Sequence, residues 1–388
     1  MRFIPLLLLA LVLAACGSPP VRPTAPPAHA APPETGDALV VETAFSPGLP
    51  QLLARLRDQR LIYVGEVHDR NADHRLQLAV LRALPPDRVA LGVEWFQARF
   101  QSALDDYIAG RIDEAEMLRR TEYFTRWRFD YRLYRPIIRY AREHHIPIIA
   151  LNASRELTEA IRARGIAGLP PGLRDELPES YDFSDREYDR ILRGVFSQHE
   201  RKSQEFPRFR EVQLTWDESM AQRIAAYLKA HPERQMVVMA GRGHVAGRHG
   251  IPNRVSRRSG IRGVVILRPV DDEPPRGQAD YLVLSEERPL PPRGLIGALL
   301  DIADGRVVIK GFTPGSAGRA AGLREGDRIV AINGREVTDY TAFKLGMLGL
   351  GPGARLRLVV LRQNADGETR RHAVEVALKA PRDAGLHR

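Results

Sequence analysis

The sequence predicts an α/β chain, a mainly parallel sheet with flanking helices, followed by a small β-rich module at the C-terminal end. Three observations predict it. Short, nearly continuous apolar runs recur at 61–64 (LIYV), 89–93 (VALGV), 146–151 (IPIIAL), 236–240 (MVVMA) and 264–267 (VVIL), as strands buried on both faces require. Between them, residues such as His74, Leu78 and Leu81, or Ile224, Tyr227 and Leu228, keep helical spacing. A polar, Pro-rich break at 288–294 (RPLPPRG) then separates a second patterned stretch.

Taken in order, the chain opens with Arg2, an apolar run from Phe3 to Val12, and Leu13-Ala14-Ala15 before Cys16. A basic start, a short apolar core and small residues before a cleavage point read as a secretory signal, too short for a lasting membrane span. Cys16 is the single cysteine among 388 residues and sits where a bacterial lipobox places the residue that becomes lipidated. Gly17 and Ser18 follow it instead of an aspartate, and by resemblance to lipoprotein sorting rules this implies an outer-membrane anchor facing the periplasm. The expected organisation is a signal peptide at 1–15, a Pro/Ala-rich tether at 16–36, an α/β domain at 37–287, a linker at 288–293 and a second domain at 294–380. The mature chain has no further thiol, so any metal falls to His, Asp, Glu or Tyr.

The formal net charge is +10. No Lys/Arg block carries interleaved aromatics, which argues against nucleic acid as a partner. Anionic lipid and carboxylate-bearing ligands fit an exported basic protein better. Within the α/β domain, 97–143 is longer than one crossover needs and predicts several helices. The stretch 170–210 reads as an inserted helical excursion, with Tyr181, Phe183, Tyr188, Phe196, Phe206 and Phe209 as packing residues.

The strand ends carry the chemistry. The first apolar run leads into Gly65-Glu66-Val67-His68, the second into Glu94-Trp95, the third into Asn152 with Arg155 nearby, and the fourth into Gly241-Arg242-Gly243-His244. In an open parallel sheet all carboxyl ends line one edge, where ligands bind, so these residues should be neighbours. The glycines are expected to serve sharp turns. Two imidazoles with Glu66 and Glu94 would suit either a divalent metal or acid/base chemistry, and the residues leave both open. A helix starting near Asp73 would aim its positive end at the same crevice and carry His74 on its first turn. Glu94 could also be a buried carboxylate paired with Arg155.

At these residues the chain resembles the ChaN-like haem-binding lipoproteins, a branch of the superfamily that includes Tiki, TraB and the erythromycin esterase (EreA-like) proteins. The likeness spans roughly 50–285 and rests on GEVHD at 65–69, GVEWFQ at 92–97, LDDYIAG at 104–110, the segment 126–156, QLTWDESMA at 213–221 and GRGHV at 241–245. It implies an envelope lipoprotein that binds haem and serves iron uptake. The wider superfamily implies a second option, a metal-dependent peptidase or esterase using His68, His244, Glu66 and Glu94. The chain departs from the family between Phe196 and Trp216, where a His/Met-rich stretch is expected and only His199 appears. The haem contacts implied are then His199 or Tyr188, with His74 and Arg155 close by.

The stretch 294–380 resembles a PDZ domain. Gly294-Leu295-Ile296-Gly297 matches the carboxylate-binding loop, 307–337 the strand, turn and strand core, and 340–348 the groove helix. The resemblance implies a protein C-terminus as ligand, with packing on its own chain or homodimer formation as the other options. Haem binding leads these readings, ahead of hydrolysis and of a non-catalytic envelope scaffold.

Overall fold

The computed structural model describes residues 48–198, 205–270, 277–364 and 366–381. The expected signal peptide, Cys16, the tether and His199 lie outside the described residues. Six strands form the first sheet: β1 Leu61–Glu66, β2 Val89–Gln97, β3 Ile148–Asn152, β4 Gln235–Gly241, β5 Val264–Leu267 and β6 Tyr281–Leu282. Their order is β3-β2-β4-β1-β5-β6, and every pairing is parallel.

Both faces of the sheet are covered, which is why its strands read as continuous apolar runs. Ile62, Val64, Leu91 and Val93 pack against the helices Asn71–Arg82 and Tyr131–Glu143. Leu61, Tyr63, Met236 and Val238 face the opposite layer, built from Phe206–Ala230 and Ile251–Ser259. Helix starts follow local capping chemistry: Asp130 accepts the Arg132 amide, Ser154 the Leu157 amide and Asp185 the Tyr188 amide. The excursion contains the helices Pro171–Arg174 and Arg186–Ser197, and its aromatics Tyr188, Phe196 and Phe206 share a small buried cluster.

From β1 the chain steps through β2 to β3, returns to insert β4 between β2 and β1, and continues to β5 on the far side. The direction of winding therefore switches at the β1/β4 pair, where Glu66 lies opposite Gly241. That is where an open α/β sheet leaves a crevice at its carboxyl edge.

The second sheet contains β7 Ala298–Ala303, β8 Arg306–Phe312, β9 Arg328–Ile332, β10 Arg335–Glu336, β11 Arg355–Gln363 and β12 Thr369–Ala377. It is antiparallel, in the order β12-β11-β9-β8-β7, with β10 on β9. Val307, Ile309, Ile329, Leu356, Leu358 and Phe343 build its core, the last from the helix Tyr340–Met347. β7 is an edge strand, open to a further pairing partner. Among the described residues no helix is long and apolar enough to cross a membrane.

Candidate functional site

Two histidine–carboxylate pairs face each other across the carboxyl edge of β1, β2 and β4. His68 Nδ1 lies 2.9 Å from Glu66 Oε1. Glu66 is fully enclosed and also receives Gln77 Nε2 at 2.7 Å and Trp95 Nε1 at 3.3 Å, while His74 Nδ1 approaches its other oxygen at 3.3 Å. Burial would raise this carboxyl, but His74, His68 and Gln77 outweigh it and hold the group below its ordinary value. The second pair is His244 Nδ1 with Asp217 Oδ1 at 2.7 Å, and Asp217 is buried on the helix Phe206–Ala230. Tyr188 donates its hydroxyl to the other Asp217 oxygen.

Glu94 stands between the pairs. Its Oε1 is 3.5 Å from His244 Nε2, and its Oε2 accepts the Gly241 amide at 2.6 Å. A Cβ on Gly241 would fall 2.8 Å from His68 Cε1 and 3.4 Å from Glu94 Oε2, so two side chains from different strand ends converge on this one glycine. Burial pulls His68 down, yet the Glu66 hydrogen bond and the Glu94 charge outweigh it, and the imidazole sits above its ordinary value. Burial likewise opposes the charge on His244, but Asp217 and Glu94 carry it up to about 9. Near neutral pH the His244 ring is therefore imidazolium, with Asp217 on Nδ1 and Glu94 3.5 Å from Nε2, while His68 is displaced in the same direction with Glu66 on its Nδ1.

The glycines act by close approach, not as turn residues. Gly65 lies inside β1, where a Cβ would meet Leu267 at 2.3 Å and Val245 at 2.7 Å, and Gly241 closes β4 with φ −53°. β1 and β2 also run further than their apolar runs suggest, so Glu66 is itself the last residue of β1 and Glu94 lies within β2, with Trp95, Phe96 and Gln97 after it, both aimed by the pleat.

Above these groups a cavity of about 410 Å³ opens, within the size range of small-molecule sites. Its walls include Trp127 and Trp216, and its rim carries Arg126, Arg155 and Arg162. Arg126 is engaged by Glu156 and Glu122, whereas exposed Arg162 forms no ion pair among the described residues. Asn152 gives its amide nitrogen to Glu94 O at 3.1 Å, while its Oδ1 is buried without a donor. Trp127 and Phe129 pack on the His68 ring, with centroids 4.8 and 4.7 Å away.

The structure thus gathers Glu66, His68, Glu94 and His244 at one edge. Arg155 is nearby but is not the partner of Glu94: it donates to the carbonyls of Thr125 at 2.5 Å and Arg126 at 3.1 Å. His74 is 2% exposed and bonds Gln77 and the His68 carbonyl, so it supports the first pair from beneath and does not face the cavity. Tyr188 is 3% exposed with its hydroxyl committed to Asp217, which removes it as an iron ligand. Among the described residues no group of three or more His, Cys, Asp or Glu is arranged to hold a metal ion. Both Nδ1 atoms are tied to carboxylates, and Glu66 is saturated by donors. In the second sheet, Gly294 and Leu295 give their amides to Leu350 O and Lys379 O at 2.8 Å each, which leaves Ile296 and Gly297 for an incoming carboxylate.

Sequence reasoning missed Asp217, Trp127 and Phe129 as site residues. Asp217 lies in the quoted stretch QLTWDESMA, but nothing in its helical spacing announces that it faces β4.

Residues 52–255 match the family described as haem-binding uptake, Tiki superfamily, ChaN, and residues 308–362 match the PDZ domain family. Among solved structures, ChaN of Campylobacter jejuni, described with cofacial haem binding, superposes with TM-score 0.50 at 18% identity, covering 60% of this chain and 90% of that one. The PDZ domain of a carboxy-terminal protease from Vibrio cholerae, in complex with peptide, is 26% identical over 24% of this chain and 99% of its own, with TM-score 0.20. An erythromycin esterase, EreC, in its open conformation gives TM-score 0.36 at 15% identity over 58% of this chain and 76% of its own. No curated protein matches the chain. The family match spans more than half of the sequence and coincides with the sheet and its crevice: the chain belongs to the ChaN family of haem-binding uptake proteins within the Tiki superfamily.

Proposed function

We propose that this protein is an exported, lipid-anchored haem binder acting in iron acquisition, with haem in the crevice above β1, β2 and β4. The observation that carries the reading is the cavity itself, on a chain of a haem-binding family: flat aromatic walls from Trp127 and Trp216 beside a rim of arginines. A planar macrocycle with two carboxylates needs both features. Arg162, free of an acidic partner among the described residues, would pair with a propionate. Haem iron supplies the ligand-binding and redox chemistry when bound; the chain supplies faces, cations and an axial donor. His199 is our assignment for that donor, with His68 tested beside it because its ring is the more exposed of the two crevice imidazoles. Lipidation of Cys16 would hold the protein at the outer membrane, facing the periplasm. The PDZ module would recruit a protein C-terminus.

A visible-range titration tests the reading. Haem added to the full chain in detergent should give a saturable Soret change that His199→Ala or His68→Ala removes. A flat titration refutes it.

One specific arrangement favours a second reading. Glu94 lies between two imidazoles, each backed by a carboxylate, as acid/base chemistry on an ester or peptide would use. Turnover of such substrates lost in Glu94→Gln and His244→Ala would establish it, and the effect of a chelator would decide whether a divalent ion takes part.

A further inference from the structure

A second cavity, of about 260 Å³, lies beside the loop before β7, and its walls come from both parts of the chain. Ile296, Phe343 and Met347 line it from the antiparallel module, and Phe124, Arg128 and Phe129 from the first. The two parts are fastened there. Arg119 binds Asp339 at the start of the helix Tyr340–Met347, Tyr340 packs on Phe124 with centroids 6.5 Å apart, and Lys344 sits 5.5 Å over the same Phe124 ring.

The chemistry of this cavity selects an anion attached to an apolar group. The amides of Ile296 and Gly297 have no backbone acceptor among the described residues. Arg128, Arg293 and Lys344 all border the space, and none of them forms an ion pair among the described residues. The one acid on the lining, Asp130, is already held by Arg132 at 2.7 Å. A free carboxylate would find amides and cations at one point, apolar walls next to them, and the open edge of β7 for its backbone.

Phe129 belongs to both sites. It is 36% exposed toward this cavity, yet its ring packs at 4.7 Å on His68 and at 5.3 Å on Trp127, which itself touches His68. Between these two aromatics Arg128 adopts φ +73°, a left-handed conformation that a non-glycine residue keeps only under constraint from its surroundings. A short strained segment thus presents one face to the peptide groove and the other to the crevice.

We propose that the groove is a composite site: Arg128 and Phe129 complete it, its occupant is a protein C-terminus with a free carboxylate and an apolar last side chain, and occupancy repositions the Trp127–Phe129 pair over His68. The coupling is reciprocal, so a ligand in the crevice changes affinity for the peptide. The inference rests on the C-terminal module binding peptide and does not require haem, so its test is run without haem.

The probe is a pool of hexapeptides ending in Val, Leu, Ile or Phe, as free acid and as C-terminal amide, added to the full chain in detergent. The chain is labelled with 5-fluorotryptophan, and fluorine NMR reads Trp95, Trp127 and Trp216, with Trp127→Phe assigning the central signal. The free acids should bind, the amides should not, and Arg128→Gln, which changes an exposed side chain without an ion pair among the described residues, should weaken binding about tenfold. At saturation the Trp127 signal should shift while Trp216 stays, and Phe129→Ala should remove the shift. Absence of binding, equal binding of acid and amide, or binding indifferent to Arg128→Gln overturns the composite groove. Acid-dependent binding with an unmoved Trp127 signal overturns the coupling.

Discussion

At the scale of single residues, the crevice depends on which atom each carboxylate faces. His244 is the sharpest case, because burial and charge act in opposite senses on one ring and charge prevails only through Asp217 and Glu94. Asp217→Asn should therefore lower the imidazole from about 9 toward its ordinary value, read by nitrogen-15 NMR of the ring. The sign for stability follows from the same shift. A folded-state value raised above the unfolded one stabilises fully below about pH 6.5, and this contribution disappears as pH rises through about 9. Chemical denaturation across that window should show stability falling in the native chain and a flatter profile in Asp217→Asn. Gly241→Ala should disturb both His68 and Glu94, since the new methyl would stand 2.8 Å from one and 3.4 Å from the other. Glu66, His68, Glu94 and His244 were legible in the sequence because each follows closely on an apolar strand run, and the carboxyl ends of a parallel sheet meet. Asp217, Trp127 and Phe129 were not, because a helix face and a loop reach the site only through tertiary packing that no local pattern encodes.

At the scale of elements, the apolar runs announce the strands, while their ends are set by pairing. β2 continues to Gln97 through a register shift against β3, a contact between distant segments that hydrophobicity alone does not mark. The helix Phe206–Ala230 is held to Ile251–Ser259 by a buried ionic cluster. Glu218, with no exposed surface, meets Arg254 at 3.2 Å, Arg257 at 2.8 Å and Arg258 at 2.5 Å. Arg254 is itself only 2% exposed, so losing the carboxylate strands a buried cation. Glu218→Ala should destabilise the fold by about 3–5 kcal/mol in urea unfolding, far more than an exposed pair such as Arg355 with Glu375, where removal should matter by less than about 1 kcal/mol. The same cluster carries the helix that positions Asp217, so Glu218→Ala should also lower the His244 value.

At the scale of the whole molecule, a parallel α/β domain with a charged crevice is joined to an antiparallel module whose peptide groove borders the first domain. Family motifs made both modules readable from the sequence, but the fastening of Asp339 to Arg119 and of Tyr340 to Phe124 pairs segments far apart in the chain and could not be inferred from either alone. The proposed lipid anchor belongs to this scale too: Cys16→Ala should abolish fatty-acid labelling and release the protein from the membrane fraction. The central claim is that the crevice takes haem, and the most direct measurement is a haem titration of the full chain followed in the Soret region, with Arg162→Ala and His68→Ala beside it. Saturable binding is predicted, weakened severalfold by Arg162→Ala, as loss of one exposed charge-assisted contact should weaken it, with the Soret change lost when the axial donor is replaced. A titration with no spectral change in the native chain would contradict it.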